Sequence, residues 1–171
     1  MERNALSELA RILDALAIRW ALIGALAANR YRASPRLTQD VDLLLANGGP
    51  NGALVTALAA GGWTVRSATA EGDLLRLRHA QFGAADVLIA GTEYQQLALS
   101  RARPDTILGD QPVQVLTVED VIIHKLIAAR SQDVADIEAI MATRPPLDEH
   151  YIEHWAAFWE LTELWARLRR G

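Results

Sequence analysis

Apolar residues at Leu6, Leu9, Ile12, Leu13 and Leu16 recur at helical spacing, which predicts an amphipathic opening helix. The run Trp20–Ile23 reads as a short strand that breaks at Gly24 into a small-residue helix, Ala25 to Asn29. Pro35 marks the segment 30–36 as loop. Residues 40–45, "DVDLLL", read as the next strand, followed by an emphatic turn at 47–52, "NGGPNG". A helix over 53–60 ends at the Gly61-Gly62 pair, and short strands follow at 63–65, 74–78 and 85–90. The middle one, "LLRLR", alternates as a half-exposed strand should.

Residues 93–101 read as a helix and 112–116 as a last strand. Thr117 then caps a helix with Asp120 at its third position, close to a capping box. Ser131 is placed as the cap of the next helix, and Asp148 as the cap of one long final helix. That order predicts an α+β (mixed α/β) fold: a small mixed sheet flanked by helices over residues 1–116, with a helical C-terminal part over 117–171 packed on it.

The strand at 40–45 carries the candidate chemistry. Side chains alternate faces along a strand, so Asp40 and Asp42 point one way while Val41, Leu43 and Leu45 point into the core. The two carboxylates then stand about 7 Å apart, from a rise of about 3.3 Å per residue. Like charges so placed and partly desolvated repel unless a cation lies between them, and a hard divalent ion suits the task. An isolated D-x-D is equally an edge strand's solubilising pair. Three features add weight: Asp86 also heads an apolar strand, Gly24 sits where a strand turns into a helix, and Arg30, Arg32 and Arg36 crowd the loop before Asp40. Each has a plain structural alternative as well: a hydrogen-bonded Asp, an ordinary tight turn, a solvated loop.

Composition narrows the classes. With 51% hydrophobic and 22% charged residues the chain is an ordinary globular protein, not a disordered one. A net charge of −4 argues against extensive DNA binding over the whole surface but leaves room for a local basic patch. Without cysteine, neither disulfides nor thiolate chemistry are available. No apolar run approaches the roughly 18 residues of a membrane span, and the charged, amphipathic start is unlike a signal peptide, so a cytoplasmic location is expected.

Gly24-Ala25, then "RLTQDVDLLL", then "AADVLIA" resemble, in order and spacing, the nucleotidyltransferase superfamily that includes DNA polymerase beta. Within it, the chain is most similar to the small bacterial branch of AbiEii-type toxins and minimal nucleotidyltransferases. There a lysine on one helix precedes an acidic pair on the next, as in "LTVEDVIIHKLIAARSQDVADI". The resemblance runs from about Trp20 to Ile140 and implies roles. Asp40, Asp42 and Asp86 would bind Mg²⁺ (or Mn²⁺) and serve catalysis. Gly24, Ala25, Arg36, Thr38, Lys125 and Asp133 would hold the NTP. Ala25 departs from the serine that many members carry there.

The activity so implied is transfer of NMP from an NTP to a hydroxyl acceptor: a tRNA end or a partner protein, in a toxin–antitoxin-like setting, or a small molecule, as in antibiotic-modifying relatives. A homodimer or an antitoxin partner fits that setting. The competing expectation is an inactive nucleotidyltransferase-like binding or antitoxin subunit. Read without the resemblance, Lys125 is a snorkelling helix residue and Asp133 a first-turn acid beside the helix dipole. His124 reads as a helix-surface residue. Trp155, Phe158, Trp159, Thr162 and Trp165 fall along one side of the final helix, where packing onto the body is the expected use and a partner patch the alternative.

Overall fold

The computed structural model describes residues 4–38, 40–46, 52–106 and 112–170. Its first half runs α1 (Ala5–Ala15), β1 (Trp20–Leu22), α2 (Gly24–Asn29), β2 (Val41–Leu45), α3 (Gly52–Ala60), β3 (Thr64–Ser67), β4 (Leu74–His79) and β5 (Gly83–Ile89). Then come α4 (Glu93–Arg101), β6 (Arg103–Asp105), β7 (Val113–Val115), α5 (Val118–Ala128), α6 (Ser131–Met141), α7 (Glu149–Phe158) and α8 (Thr162–Leu168). The turn expected at 47–52 lies outside the described residues up to Asn51.

The seven strands form one mixed sheet in the order β3-β4-β5-β2-β1-β7-β6. β5 and β2 are parallel neighbours, as are β1 and β7, whereas the β3–β4, β4–β5, β1–β2 and β6–β7 pairs are antiparallel. One face of the sheet presents Leu75, Leu77, Ala85, Val87 and Ile89, all buried, and α1 and α3 pack against that side. The helices of the C-terminal part gather on α2 and α5, and residues of both halves join one hydrophobic core, from Leu6 through Leu44 and Ile122 to Trp165.

β6, Arg103-Pro104-Asp105, was not legible in the sequence. It has no apolar alternation, and it is tolerated because it is an edge strand, where a proline costs no ladder bond. The three expected helix caps fare differently. Thr117 does cap α5, accepting from Asp120 N–H, but the Asp120 side chain does not return to close the box. It is fully buried and accepts from Tyr151 Oη at 2.7 Å, Thr117 Oγ1 at 2.8 Å and Arg101 Nε at 3.0 Å, tying α4, α5 and α7 together. Ser131 is the first residue of α6 rather than its cap, which is Arg130 without a side-chain bond. Asp148 caps α7 as expected, accepting from Tyr151 N–H at 3.0 Å.

The single long final helix is in fact two. Glu160 adopts φ +57°, Leu161 N–H donates to Ala156 C=O at 2.7 Å and Glu160 N–H to Ala157 C=O at 3.1 Å. That is a Schellman closure built without glycine. The break divides the aromatic stripe: Trp155 and Trp165 are buried, Trp159 is half-buried, and Phe158 is 64% exposed. α8 thereby packs on α6 as well as α7. Trp165→Ala is expected to cost about 3–5 kcal/mol, as for other buried tryptophans, whereas Phe158→Ala should stay within about 0.5 kcal/mol. Urea denaturation of both variants measures the contrast.

Candidate active site

Strand register assembles the site. Asp42 on β2 pairs with Asp86 on the parallel neighbour β5, and Asp86 in turn opposes Arg76 on β4, which opposes Arg66 on β3. Directly paired residues share a face, so these four side chains leave the sheet on the same side, opposite the face that α1 and α3 cover. The rung continues on β1, where Ile23 N–H donates to Asp42 C=O at 2.9 Å, and the chain then turns at Gly24 into α2.

Gly24 has φ +65°, and a Cβ built there would lie 2.0 Å from Asp42 Oδ2. Only glycine allows both the left-handed backbone and that approach. The adjoining Ala25 N–H donates to the Asp42 carboxylate. The carboxyl is nevertheless pushed up to about 6, first by burial and then by the charge of Asp86, with Asp40 adding to both. Ala25 N–H and the Lys125 charge oppose that rise without cancelling it. Asp42 and Asp86 are thus a partly desolvated pair short of positive charge, which is the electrostatic condition a divalent cation relieves.

Across from the pair stands a cluster of ions. The Asp136 carboxylate, fully buried on α6, accepts from Lys125 Nζ at 2.6 Å, from Arg36 Nε at 3.0 Å and Nη2 at 3.3 Å, and from Arg32 Nη1. Lys125 Nζ also donates to Asp133 Oδ1 at 3.3 Å, and Arg130 Nε to Asp133 Oδ2 at 2.6 Å. Burial alone would raise both carboxyls. The hydrogen bonds from Arg130 and Lys125 hold Asp133 below its ordinary value, and those from Arg36 and Lys125 do the same for Asp136. Asn29 fastens the basic loop from beneath, accepting from Arg36 N–H at 3.0 Å and donating to Arg36 C=O at 2.8 Å.

Between the rung and this cluster lies a cleft of about 460 Å³. Its lining combines polar and charged groups, with Gly24, Asp42, Asp86, Lys125, Arg130 and Asp133, and apolar or aromatic ones such as Leu74, Leu88, Tyr94, His124 and Trp159. His124 is not a plain surface residue. Its Nδ1 donates to Asp120 C=O at 2.9 Å, which leaves Nε2 as a buried acceptor on the cleft wall, and burial lowers its pKa. Neither its Nε2 nor the Trp159 indole N–H has a partner among the described residues. His124 was read as a helix-surface residue and Trp159 as part of a packing stripe, since nothing in the 3.6-residue spacing separates a cleft-facing side chain from a solvated or packed one.

Of the residues singled out from the sequence, Gly24, Asp42, Asp86, Lys125 and Asp133 converge on this cleft. Asp40 does not: it precedes β2, is exposed, and lines a separate cleft with Arg78, His79 and Phe82. Outside the strand, alternation no longer aims its side chain. Arg36 is spent on Asp136, Arg30 is paired with Asp105, and Thr38 is half-buried without lining the cleft. Among the described residues no three His, Asp or Glu side chains group to hold a metal ion. Two do face each other, and Mg²⁺ commonly takes one or two protein carboxylates with phosphates and water for the rest, so Asp42 and Asp86 fit such an ion.

The same architecture occurs in known nucleotidyltransferases. The chain superposes on the antibiotic-resistance factor ANT(2'')-Ia with a TM-score of 0.63 at 13% identity, covering 96% of this chain and 93% of that one. It matches the lincosamide antibiotic adenylyltransferase LnuA with a TM-score of 0.58 at 14% identity, over 83% and 99% of the two chains. The nucleotidyltransferase toxin MenT4 of Mycobacterium tuberculosis matches with a TM-score of 0.54 at 17% identity, over 88% of this chain and 60% of the toxin. No family profile and no curated protein sequence matches. The fold is therefore that of the nucleotidyltransferases, as the sequence resemblance implied.

Two outcomes follow from these electrostatics. An acid whose pKa rises from 3.8 to about 6 on folding binds its proton more tightly in the native state. The ligand-free protein therefore loses stability as pH rises through that window and carries the full penalty above it. Asp42→Asn should remove that slope and stabilise the ligand-free protein by about 1–2 kcal/mol at pH 7.5, read as the difference in denaturation midpoint between pH 4.5 and 7.5. Asp136→Ala strands Arg32 and Arg36, leaves Lys125 with Asp133 alone, and should cost about 3–5 kcal/mol in urea denaturation at pH 7.

Proposed function

We propose that the protein is a divalent-metal-dependent nucleotidyltransferase that moves NMP from an NTP to a hydroxyl acceptor. The observation that carries this is the Asp42–Asp86 pair, set side by side on parallel strands next to Gly24 and facing Lys125, Arg130 and Asp133 across one cleft, within a nucleotidyltransferase fold. The acceptor oxygen bonds to the α-phosphorus, the bond from that phosphorus to the bridging oxygen breaks, and pyrophosphate leaves. A bound Mg²⁺ (or Mn²⁺), held by Asp42 and Asp86, supplies charge stabilisation for the phosphate oxygens.

The chain's own residues position and shield. Gly24 lets the backbone come close to the carboxylate, so the substrate phosphates meet little steric bulk. Asp86, beside Asp42 in the cleft, accepts the acceptor's proton. Arg130, 77% exposed at its side chain, is free to swing toward a phosphate while Asp133 keeps its head near the cleft. Lys125 is enclosed by Asp133 and Asp136 and acts by placing them, as well as by its charge on Asp42. The aromatic lining residues, His124 and Trp159 among them, suit a nucleobase or the acceptor. Asp40 stands outside as a distant charge.

Three acceptor classes fit this chemistry: an RNA end or a partner protein in a toxin–antitoxin-like setting, for which MenT4 is the relevant neighbour, and a small molecule, for which ANT(2'')-Ia and LnuA are. Among the described residues no helix is long and apolar enough to cross a membrane. The test is incubation with α-³²P-labelled NTPs, Mg²⁺, and either total tRNA or cell protein. Label should transfer to one acceptor fraction, and EDTA or Asp42→Asn should lower transfer by at least about 10²-fold. Metal-independent NTP binding with no transfer to any fraction would instead establish the inert binding subunit.

A further inference from the structure

The rung that holds the two acids does not stop at Asp86. It continues outward through Arg76 on β4 to Arg66 on β3, and the neighbouring rung adds Arg78, opposite Thr64 and Ala84. All three arginines are exposed, and they share the sheet face of Asp42 and Asp86. None of them has a hydrogen bond or ion pair among the described residues, unlike Arg30, Arg32, Arg36, Arg101 and Arg130, each of which has an acid partner. Like charges directly opposite, as Arg66 and Arg76 are, destabilise a strand pair. Arg144, Arg167 and Arg170 also have no acid partner among the described residues, so what sets the β3–β4 arginines apart is their place on the face and rung of Asp42 and Asp86.

We propose that the open face of β3 and β4 docks the phosphate backbone of a nucleic-acid strand and leads its terminal hydroxyl to the Asp42–Asp86 pair. This rests on the nucleotidyl-transfer reading above and names its acceptor class. Arg76 occupies the strand next to Asp86 on the same rung, its backbone one strand spacing, about 4.8 Å, away, so a phosphate held by its guanidinium is on the acids' side of the sheet. Leu74, on the same face of β4 and part of the cleft lining, makes the strip and the cleft continuous.

A polyamine-type small acceptor would meet repulsion along this path. A protein partner would need an apolar centre to anchor it, and the strip offers Thr64, Ala84, three guanidiniums and, in the cleft beside Arg78, the Asp40 carboxylate instead. Guanidinium forks, by contrast, match phosphate oxygens in pairs.

The test is fluorescence anisotropy with a 5′-labelled single-stranded RNA 12-mer and the same DNA 12-mer, titrated over 50–300 mM KCl without NTP or metal. The triple variant Arg66→Gln, Arg76→Gln, Arg78→Gln is compared with a charge-matched control, Arg144→Gln, Arg167→Gln, Arg170→Gln, on the groove between α6 and α8. The strip variant should lose affinity for both strands and flatten the slope of log K against log[salt] by about 2, since each phosphate contact on a single strand contributes about 0.7. The control should keep both.

Arginine-to-lysine replacement at the three positions should restore most of the slope, which a folding defect would not allow. Equal losses in the strip and control variants, or an unchanged slope in the strip variant, overturn the proposal. Because this binding needs neither NTP nor metal, such a result leaves the Asp42-dependent transfer standing. Loss of transfer with an intact slope would sink the function and keep the docking surface.

Discussion

The carboxylate of Asp136 holds the site in shape. It is fully buried on α6, and it gathers Lys125 from α5 together with Arg32 and Arg36 from the loop that leads into β2. A buried charge is tolerated only when it is paired and hydrogen-bonded, so Asp136 cannot leave without stranding Arg32 and Arg36. Three segments distant in sequence are fixed to one another by that requirement. The loop is thereby held against α6, the strand that follows it starts at a fixed point, and Asp42 is delivered to the same rung as Asp86. Asn29, bonding the Arg36 peptide on both sides, secures the loop's other end.

The cluster also explains how one cleft contains both signs of charge without neutralising itself. Arginines that the sequence suggested as phosphate ligands are occupied in holding Asp136, while Asp133 is held by Arg130 and Lys125. Asp42 is left with a backbone N–H and a more remote lysine charge, which do not offset burial and the neighbouring Asp86. Stability is thus sacrificed at one point, the acid pair, and recovered in the ion cluster a few side chains away. This is the expected arrangement where a site must meet a cation it does not itself supply.

Much of the chain was legible because its signals are local. The α1 spacing, the Asp148 cap, the strand at β2 and the alternation of β4 follow from periodicity and capping chemistry. The errors are where tertiary context overrode a local rule. Glu160 takes a left-handed conformation with no glycine to announce it, because the turn lets Trp165 and Leu168 bury themselves. β6 exists because β7 offers it an edge. Asp40 reads as the twin of Asp42, yet the strand begins one residue later and the two acids open onto different clefts.

By itself, then, the sequence determined which residues were out of place: acids heading apolar strands, a glycine at a strand-to-helix junction, a lysine and two aspartates on amphipathic helices. It also determined the kind of fold, through the order of its elements and the motif spacing. It did not determine which of these groups meet. Pairing across strands depends on register, and register is a property of two segments, so Asp42 beside Asp86, and Arg76 beside Asp86, appear only when β2, β4 and β5 are laid together. Likewise the fate of each arginine depends on which carboxylate lies within reach. Charge in a sequence is only an inventory; burial and distance, set by the packed fold, decide which charges hold the protein together and which are left to act on something else.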